Sequence, residues 1–298
     1  MLNEKSAAGS GCSSFPPANA IESLRVRRCA GNPLISFASS PSLGRNINGA
    51  SVIRVPEWVS SPLGDYYMYF AHHQGEHIRL AYAASPAGPW RIHEPGVLPL
   101  SAVPIFRSHI ASPDVHVDHD RREIRMYVHG VGRERQGQWS SVALSSDGLN
   151  FSAREDFLGK FYFRVFTWRE AYYAIAKDWN SGWGELYRSA DGLSAFESRG
   201  HFIERMRHCA VLLRGDQLLV FHSRKGDAPE RIVVSTVSLV ADWQSWQDSV
   251  CIDVLAPETP CEGCVYPNVP SEYGAAIEVR QLRDPCIFEE DGKIYLYY

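Results

Sequence analysis

Two aspartates stand at the heads of apolar runs. Asp114 follows Ser112-Pro113 and opens Val-His-Val; Asp284 follows Arg283 and leads through Pro285 into Cys-Ile-Phe. Arginine and histidine surround both: Arg107 and His109 lie upstream of Asp114, and Arg283 touches Asp284 in sequence. Neighbouring cations depress a carboxylate's pKa, so an aspartate in such company stays ionised and can stabilise positive charge or act as a base. Asp178 and Glu185 are further acids from which a proton donor could be drawn. The remaining polar candidates are Asn48, His73, Arg164, Trp179, Arg207, His208 and His222. Such an excess of Arg, Lys and His over acids suits an anionic ligand. A structural reading stands beside it: Arg and Asp pairs can simply knit neighbouring elements together.

The elements that would position these residues are strands. Ala50–Val55, Tyr66–Ala71, His77–Ala83, Glu123–His129 and Ser140–Ser145 are short, alternating or aromatic, and bounded by turn residues. Helical periodicity is confined to a brief stretch around Ile21–Val26. The strands fall into sets of four, and new sets open at Gly49, Ser112, Tyr162, His208 and Asp284. A repeat of roughly 40–50 residues with four strands per unit is the pattern of a propeller blade. Fourth strands are expected near Trp90, Phe151, Phe196 and Trp246. The tight turns Asp147-Gly148 and Asp191-Gly192 recur between third and fourth strands, where glycine accepts positive φ and aspartate caps the turn. The expectation is an all-β, five-bladed β-propeller with four-stranded antiparallel blades over residues 31–298, behind an N-terminal extension, residues 1–30. The last blade shows two clear strands, Asp284-Pro-Cys-Ile-Phe and Lys293-Ile-Tyr-Leu-Tyr-Tyr. Its outer strands come from the N-terminal segment (Leu24–Arg28 or Leu34–Phe37), from further sequence, or not at all. An irregular insert, about Asp248 to Gln281, separates the fourth and fifth sets.

In a propeller the first strand of each blade lines the axis. The starts of first strands and the loops after second strands then share one face. They carry Arg45, Asn46, Asn48, Arg107, His109, Ser112, Asp114, Arg164, Arg207, His208, Arg283 and Asp284, with His72, His73, Gln74, His129, Arg133, Lys177, Asp178, Trp179, His222, Arg224 and Lys225 from the loops. Polar segments far apart in sequence therefore converge on one axial pocket.

Composition narrows the partners. A formal net charge of −4 argues against nucleic acid as the main partner. No apolar stretch reaches the length of a membrane span. Met1–Asn19 lacks the basic start and apolar run of a secretory leader, which makes a cytoplasmic location the default expectation. Seven cysteines in a chain of 298 residues do not form a disulfide framework. Cys261-Glu-Gly-Cys264 has half the spacing of a zinc site, with no matching pair nearby. A cation on the axis would find His and Asp ligands, yet no spacing demands one, so neither metal nor cofactor is expected. The oligomeric state is left open.

Arg283-Asp284-Pro285, an apolar strand and Asp291-Gly292-Lys293-Ile-Tyr-Leu-Tyr-Tyr together resemble glycoside hydrolase families 43, 32 and 68, which are five-bladed propellers. Ser112-Pro113-Asp114-Val115 looks like a second blade start of that type, and Gly88-Pro89-Trp90 is similar to family 43. The resemblance spans about Asn32 to Tyr298 and implies a carbohydrate partner and hydrolysis of an O-glycosyl bond. It assigns Asp284 and Asp114 the roles of base or nucleophile and transition-state stabiliser, in either order, and leaves the acid to Glu185 or Asp178. Asn48, His73, His109, Arg164, Trp179, Arg207, His208, His222 and Arg283 would bind substrate, an acidic sugar such as a uronate being favoured. The first blade departs from family 43, placing Asn46-Ile47-Asn48-Gly49 where that family has an Asp, and an amide takes no proton from water. Two other readings stay open: a polysaccharide lyase using His and Arg, and a carbohydrate-binding propeller without catalysis.

Overall fold

Short alternating runs joined by tight turns pair with their neighbours in sequence, and each such set closes into one antiparallel sheet. The computed structural model describes residues 24–298 except Gln74, Trp179, Ala195 and 272–277. The first blade is β1 (Asn48–Arg54), β2 (Tyr66–Ala71), β3 (His77–Ala83) and β4 (Arg91–Pro99), paired in that order. The second is β5 (Phe106–Asp118), β6 (Glu123–Gly132) and β7 (Gln138–Ser145). Its outer edge is divided between β8 (Ser152–Ala153) and β9 (Gly159–Lys160), which both pair with β7. The third blade is β10 (Arg164–Trp168), β11 (Ala171–Lys177), β12 (Gly184–Ser189) and β13 (Glu197–Ile203). The fourth is β14 (Met206–Arg214), β15 (Gln217–Arg224), β16 (Ile232–Ser238) and β17 (Ile252–Leu255).

The chain thus forms an all-β propeller with four complete blades. The fifth set of strands gives a two-stranded sheet, β18 (Cys286–Glu290) with β19 (Lys293–Tyr297), rather than a four-stranded blade. The fourth strand of the fourth blade also differs from expectation. It lies at Ile252–Leu255, inside the stretch read as an irregular insert, while Trp246 is 1% exposed and packs among Phe166, Trp168 and Tyr173 of the third blade. The ring's large apolar surface is worth more in that core than on an edge strand. Leu24–Val26 is irregular rather than helical, and residues 1–23 lie outside the described residues. Arg28 ties the segment from Leu24 onward to the fourth blade's outer edge, donating to Glu262 at 2.7 Å, Glu258 at 2.8 Å and the Ala256 carbonyl at 2.8 Å.

Apolar cores fill the spaces between successive sheets. Tyr67, Tyr69 and Leu80 meet Ile110, Met126 and Phe151 between the first two blades. Tyr127 and Val142 meet Val165 and Tyr187 between the next pair, and Phe166 and Tyr173 meet Cys209 and Val220 beyond it. The two-stranded sheet is clasped on both sides, by Leu212, Phe221 and Leu255 of the fourth blade and by Met68 and Phe70 of the first. Burying each large apolar side chain contributes about 1.5–3 kcal/mol, so these cores hold the ring together.

The Asp-Gly turns form as read and also lock blade to blade. The Asp147 carboxylate accepts from the backbone of Leu149 and Asn150, and Asp191 does the same for Leu193 and Ser194. Gly148 and Gly192 adopt φ of 75° and 72°. Each turn's carbonyl accepts a tyrosine O–H from the preceding blade: Tyr69 to Gly148 at 3.0 Å and Tyr127 to Gly192 at 2.8 Å. Tyr297 of β19 makes the matching bond to the Pro86 carbonyl of the first blade, at 2.8 Å. By this bond the two-stranded sheet takes the place of the preceding blade and closes the ring. Among the described residues no helix is long and apolar enough to cross a membrane.

Candidate functional site

The ring brings five strand starts together at its centre, and their backbones are unusual. Gly49, Ser112, Tyr162 and Asp284 have φ of 66°, 49°, 72° and 50°. Gly49, Tyr162 and Asp284 lie just ahead of or at the head of an innermost strand, and Ser112 lies within β5 at the register shift that precedes Asp114. In the fourth blade a register shift between Met206 and His208 marks the equivalent point. A positive φ costs a non-glycine residue about 1–3 kcal/mol, and such strain gathers where surrounding structure holds side chains to a task. Glycine is required at the first start: a Cβ on Gly49 would lie 3.1 Å from the Ser112 Cα.

These starts line a cavity of about 1100 Å³. Its axial part is lined by Asn46, Asn48, His73, His109, Ser112, His129, Gln138, Tyr162, Lys177, His208, Arg283 and Asp284; it extends outward between Leu24–Cys29 and Ile294–Tyr298. Asp284 is the one carboxylate of the axial part among the described residues. Glu262, at the outer end, is committed to Arg28 and to the Tyr298 hydroxyl. Asp284 Oδ1 accepts the Tyr162 hydroxyl proton and lies 3.0 Å from His208 Nδ1. The His208 ring stacks on Tyr162 with centroids 4.5 Å apart, so the three groups form one rigid unit.

Burial sets the proton affinities here. It pushes the Asp284 carboxyl up to about 7, where proton uptake and release are both available at neutral pH. It holds His208 and His129 well below the usual imidazole range, with Lys177 and Arg164 adding to the effect, so both rings are neutral. Lys177 is nine-tenths buried, and burial, reinforced by Arg207 and Arg283, brings its amine down to about 7. Its Nζ makes no hydrogen bond among the described residues and lies 5.7 Å from the centroid of the Phe161 ring. Asn48 Oδ1 and His129 Nδ1 are fully buried without hydrogen-bond partners among the described residues. Unsatisfied buried polar atoms are costly unless something else pairs with them.

Of the residues selected from sequence, Asn48, His73, His109, His208, Arg283 and Asp284 are brought together around this cavity. Asp114 is not among its lining residues. Its carboxylate accepts from the Val165 backbone at 2.7 Å and pairs with His116 at 2.8 Å. Burial raises its pKa, but His116, Arg164 and the Val165 N–H outweigh that and leave it below the ordinary range. Arg164 spans three inner strands, donating to the carbonyls of Ser112, Phe163 and Cys209 beneath the Tyr162 ring. Arg207, 1% exposed, pairs with Glu230 at 2.7 Å, and Glu230 also accepts from Arg283 at 3.2 Å. His222 lies within the fourth blade against Ser235, at 3.1 Å. Trp179 lies outside the described residues.

Asp178 and Glu185 sit together on the outer part of the third blade, away from the axial lining. Lys160 bridges them at 3.1 Å and 2.6 Å. With His201 they are the group of potential metal ligands found among the described residues, their ligand atoms within 4.8 Å of one another. The Lys160 ammonium already supplies the positive charge a cation would bring. Cys261 and Cys264 carry free thiols.

The axial residues outside the catalytic and substrate-binding sets drawn from the sequence are Asn46, Ser112, His129, Gln138, Tyr162 and Lys177. Tyr162 could have been found by aligning blade starts, since it holds the position of Ser112 and Asp284. Lys177 stood beside Asp178 in the correct loop, and only the strand register decides which of the two faces the axis.

The fold has solved counterparts. A family GH43 enzyme from Xanthomonas citri complexed with xylose superposes with a TM-score of 0.60 at 12% identity, over 93% of this chain and 85% of that one. A GH43 beta-xylosidase/alpha-arabinofuranosidase from a compost microbial metagenome gives 0.59 at 13% identity, over 89% and 86%. An alpha-L-arabinofuranosidase from Clostridium thermocellum gives 0.51 at 16% identity, over 69% and 72%. The architecture is therefore that of the GH43 β-propellers. No protein-family model matches the sequence. In sequence the chain is 32% identical over 289 residues to uncharacterized protein R118 of Acanthamoeba polyphaga mimivirus, covering 85% of this chain and 80% of that protein, and it belongs to the same family.

Proposed function

We propose that the chain is a glycosidase-like, carbohydrate-active propeller that takes a glycan with an anionic group into its axial cavity, where Asp284 handles the proton. In this reading the two-stranded sheet is the fifth sector of a five-bladed wheel. One observation carries the proposal: a buried carboxyl, Asp284, lines a cavity of about 1100 Å³ and is held there by Tyr162 and His208, its burial pushing its pKa up to about 7. His73, His109, Gln138 and Asn48 offer hydrogen bonds to hydroxyl groups, and Lys177 and Arg283 supply positive charge. The GH43 likeness supports a sugar ligand.

The absence of a second axial carboxylate among the described residues favours a variant chemistry. Hydrolysis by two carboxyl groups requires both across the scissile bond. Here the partner of Asp284 would be the Lys177 amine or a neutral imidazole. The same set supports a second reading, elimination next to a uronate carboxylate, with Lys177 or His208 as base and Arg283 neutralising the developing charge. Incubation with a panel of neutral and acidic oligosaccharides separates them: elimination leaves an unsaturated sugar absorbing in the ultraviolet, and hydrolysis leaves a new reducing end without it. Asp284→Asn is expected to lower turnover at least a hundredfold on the acidic substrate. Turnover undiminished in that variant would reject the assignment.

A further inference from the structure

Lys177 ends β11 and reaches the axial cavity from the third blade, while its neighbour Asp178 turns outward to Lys160. Positive charge faces it from several elements: Arg207 on β14, Arg283 before β18 and Lys225 after β15. Glu230 is the acid among the largest influences on it, and that carboxylate is shared between Arg207 and Arg283. The imidazoles of His73, His129 and His208 complete the surroundings. A lysine nine-tenths buried, lining a cavity and making no side-chain hydrogen bond among the described residues, is costly to retain for packing alone.

We infer that Lys177 is the specificity residue of the axial cavity: it reads a negatively charged oxygen group, a carboxylate or a sulfate ester, on the ligand. The inference rests on the axial cavity being the ligand site proposed above and names the feature of the ligand that this site selects. An anion seated against Nζ supplies the counter-charge the protein withholds and stabilises the ammonium form. Binding is thereby linked to proton uptake. Below pH 7 the amine already carries its proton; above it each bound anion must bring one. Asp284 titrates in the same range, and its ionisation also opposes an anion. Replacing Lys177 by arginine, which stays charged, isolates the lysine's share.

Titration calorimetry with D-glucuronate, glucose 6-sulfate, D-glucose and inorganic sulfate, from pH 6 to 9, tests this. The expected result is at least a tenfold preference at pH 6 for one acidic sugar over glucose. The affinity of the wild type for that sugar should fall toward tenfold per pH unit above 7. In Lys177→Arg the fall should be shallower, and in Lys177→Met the preference for the acidic sugar over glucose should vanish. Glucuronate and glucose 6-sulfate distinguish the two anion classes. Sulfate binding that depends on Lys177 without any sugar binding would refute the glycan reading and leave the anion site standing. Equal affinity for acidic and neutral sugars in the wild type, acidic binding undiminished in Lys177→Met, or a folded wild type that binds no anionic probe would overturn the inference.

Discussion

Replacing Lys177 with methionine should stabilise the protein, and by an amount that depends on pH. The amine titrates at 10.5 when solvated and at about 7 in the fold, so between those values the unfolded chain holds a proton that the native chain does not. Stability of the wild type therefore rises with pH across that window and is lowest below 7, where the native protein must carry the buried charge. At roughly 1.4 kcal/mol per tenfold change in acidity, the displacement corresponds to about 5 kcal/mol below pH 7. Methionine fills nearly the same volume without a charge. Urea unfolding followed by tryptophan fluorescence at pH 6, 7, 8 and 9 gives the comparison. The variant should exceed the wild type by roughly 2–5 kcal/mol at pH 6, and the gap should close by up to about 1.4 kcal/mol per pH unit above 7. Asp284 contributes with the opposite sign, losing stability as pH rises from 3.8 to about 7, but it does so in both proteins and cancels in the difference. A gap independent of pH, or a variant less stable at pH 6, would refute the assignment of a depressed amine.

Glu230→Gln should cost about 3–5 kcal/mol in the same unfolding assay, because Arg207 and Arg283 lose their shared carboxylate at a site 1% exposed; a loss below 1 kcal/mol would show that the network is dispensable. Gly49→Ala should destabilise by at least 1–2 kcal/mol, since it combines positive φ with a Cβ 3.1 Å from Ser112 Cα, and a neutral change in midpoint would contradict that geometry.

Most of the wheel is legible in the sequence because each blade repeats the same local physics. β2 and β3 match their expected bounds, and both Asp-Gly turns fold through the side-chain caps their composition implies. β17 is hidden because it is four residues long at an edge, with Ile252 and Asp253 exposed and Leu255 turned into the core, while Trp246 nearby offers a stronger apolar signal that belongs to the core. The axial cluster is legible as a list, since inner strand starts recur at fixed places. Which members turn inward is a matter of register. β5 carries shifts between Ser108, Ala111 and Asp114, and these aim the Asp114 carboxylate at Val165 rather than into the axial lining. Lys177 and Asp178 are neighbours whose side chains leave opposite sides of one strand end, and the sequence favours the acid where the structure chooses the amine. Burial, which sets the proton affinities of Asp284 and Lys177, depends on all the sheets at once and has no local signature.

Product analysis of the wild type and Asp284→Asn side by side on an acidic oligosaccharide tests the axial site most directly. The account predicts cleavage by the wild type, strongest near neutral pH where the carboxyl holds a proton part of the time, and loss of cleavage in the variant while the acidic sugar still binds. Cleavage of equal rate in both proteins would contradict it.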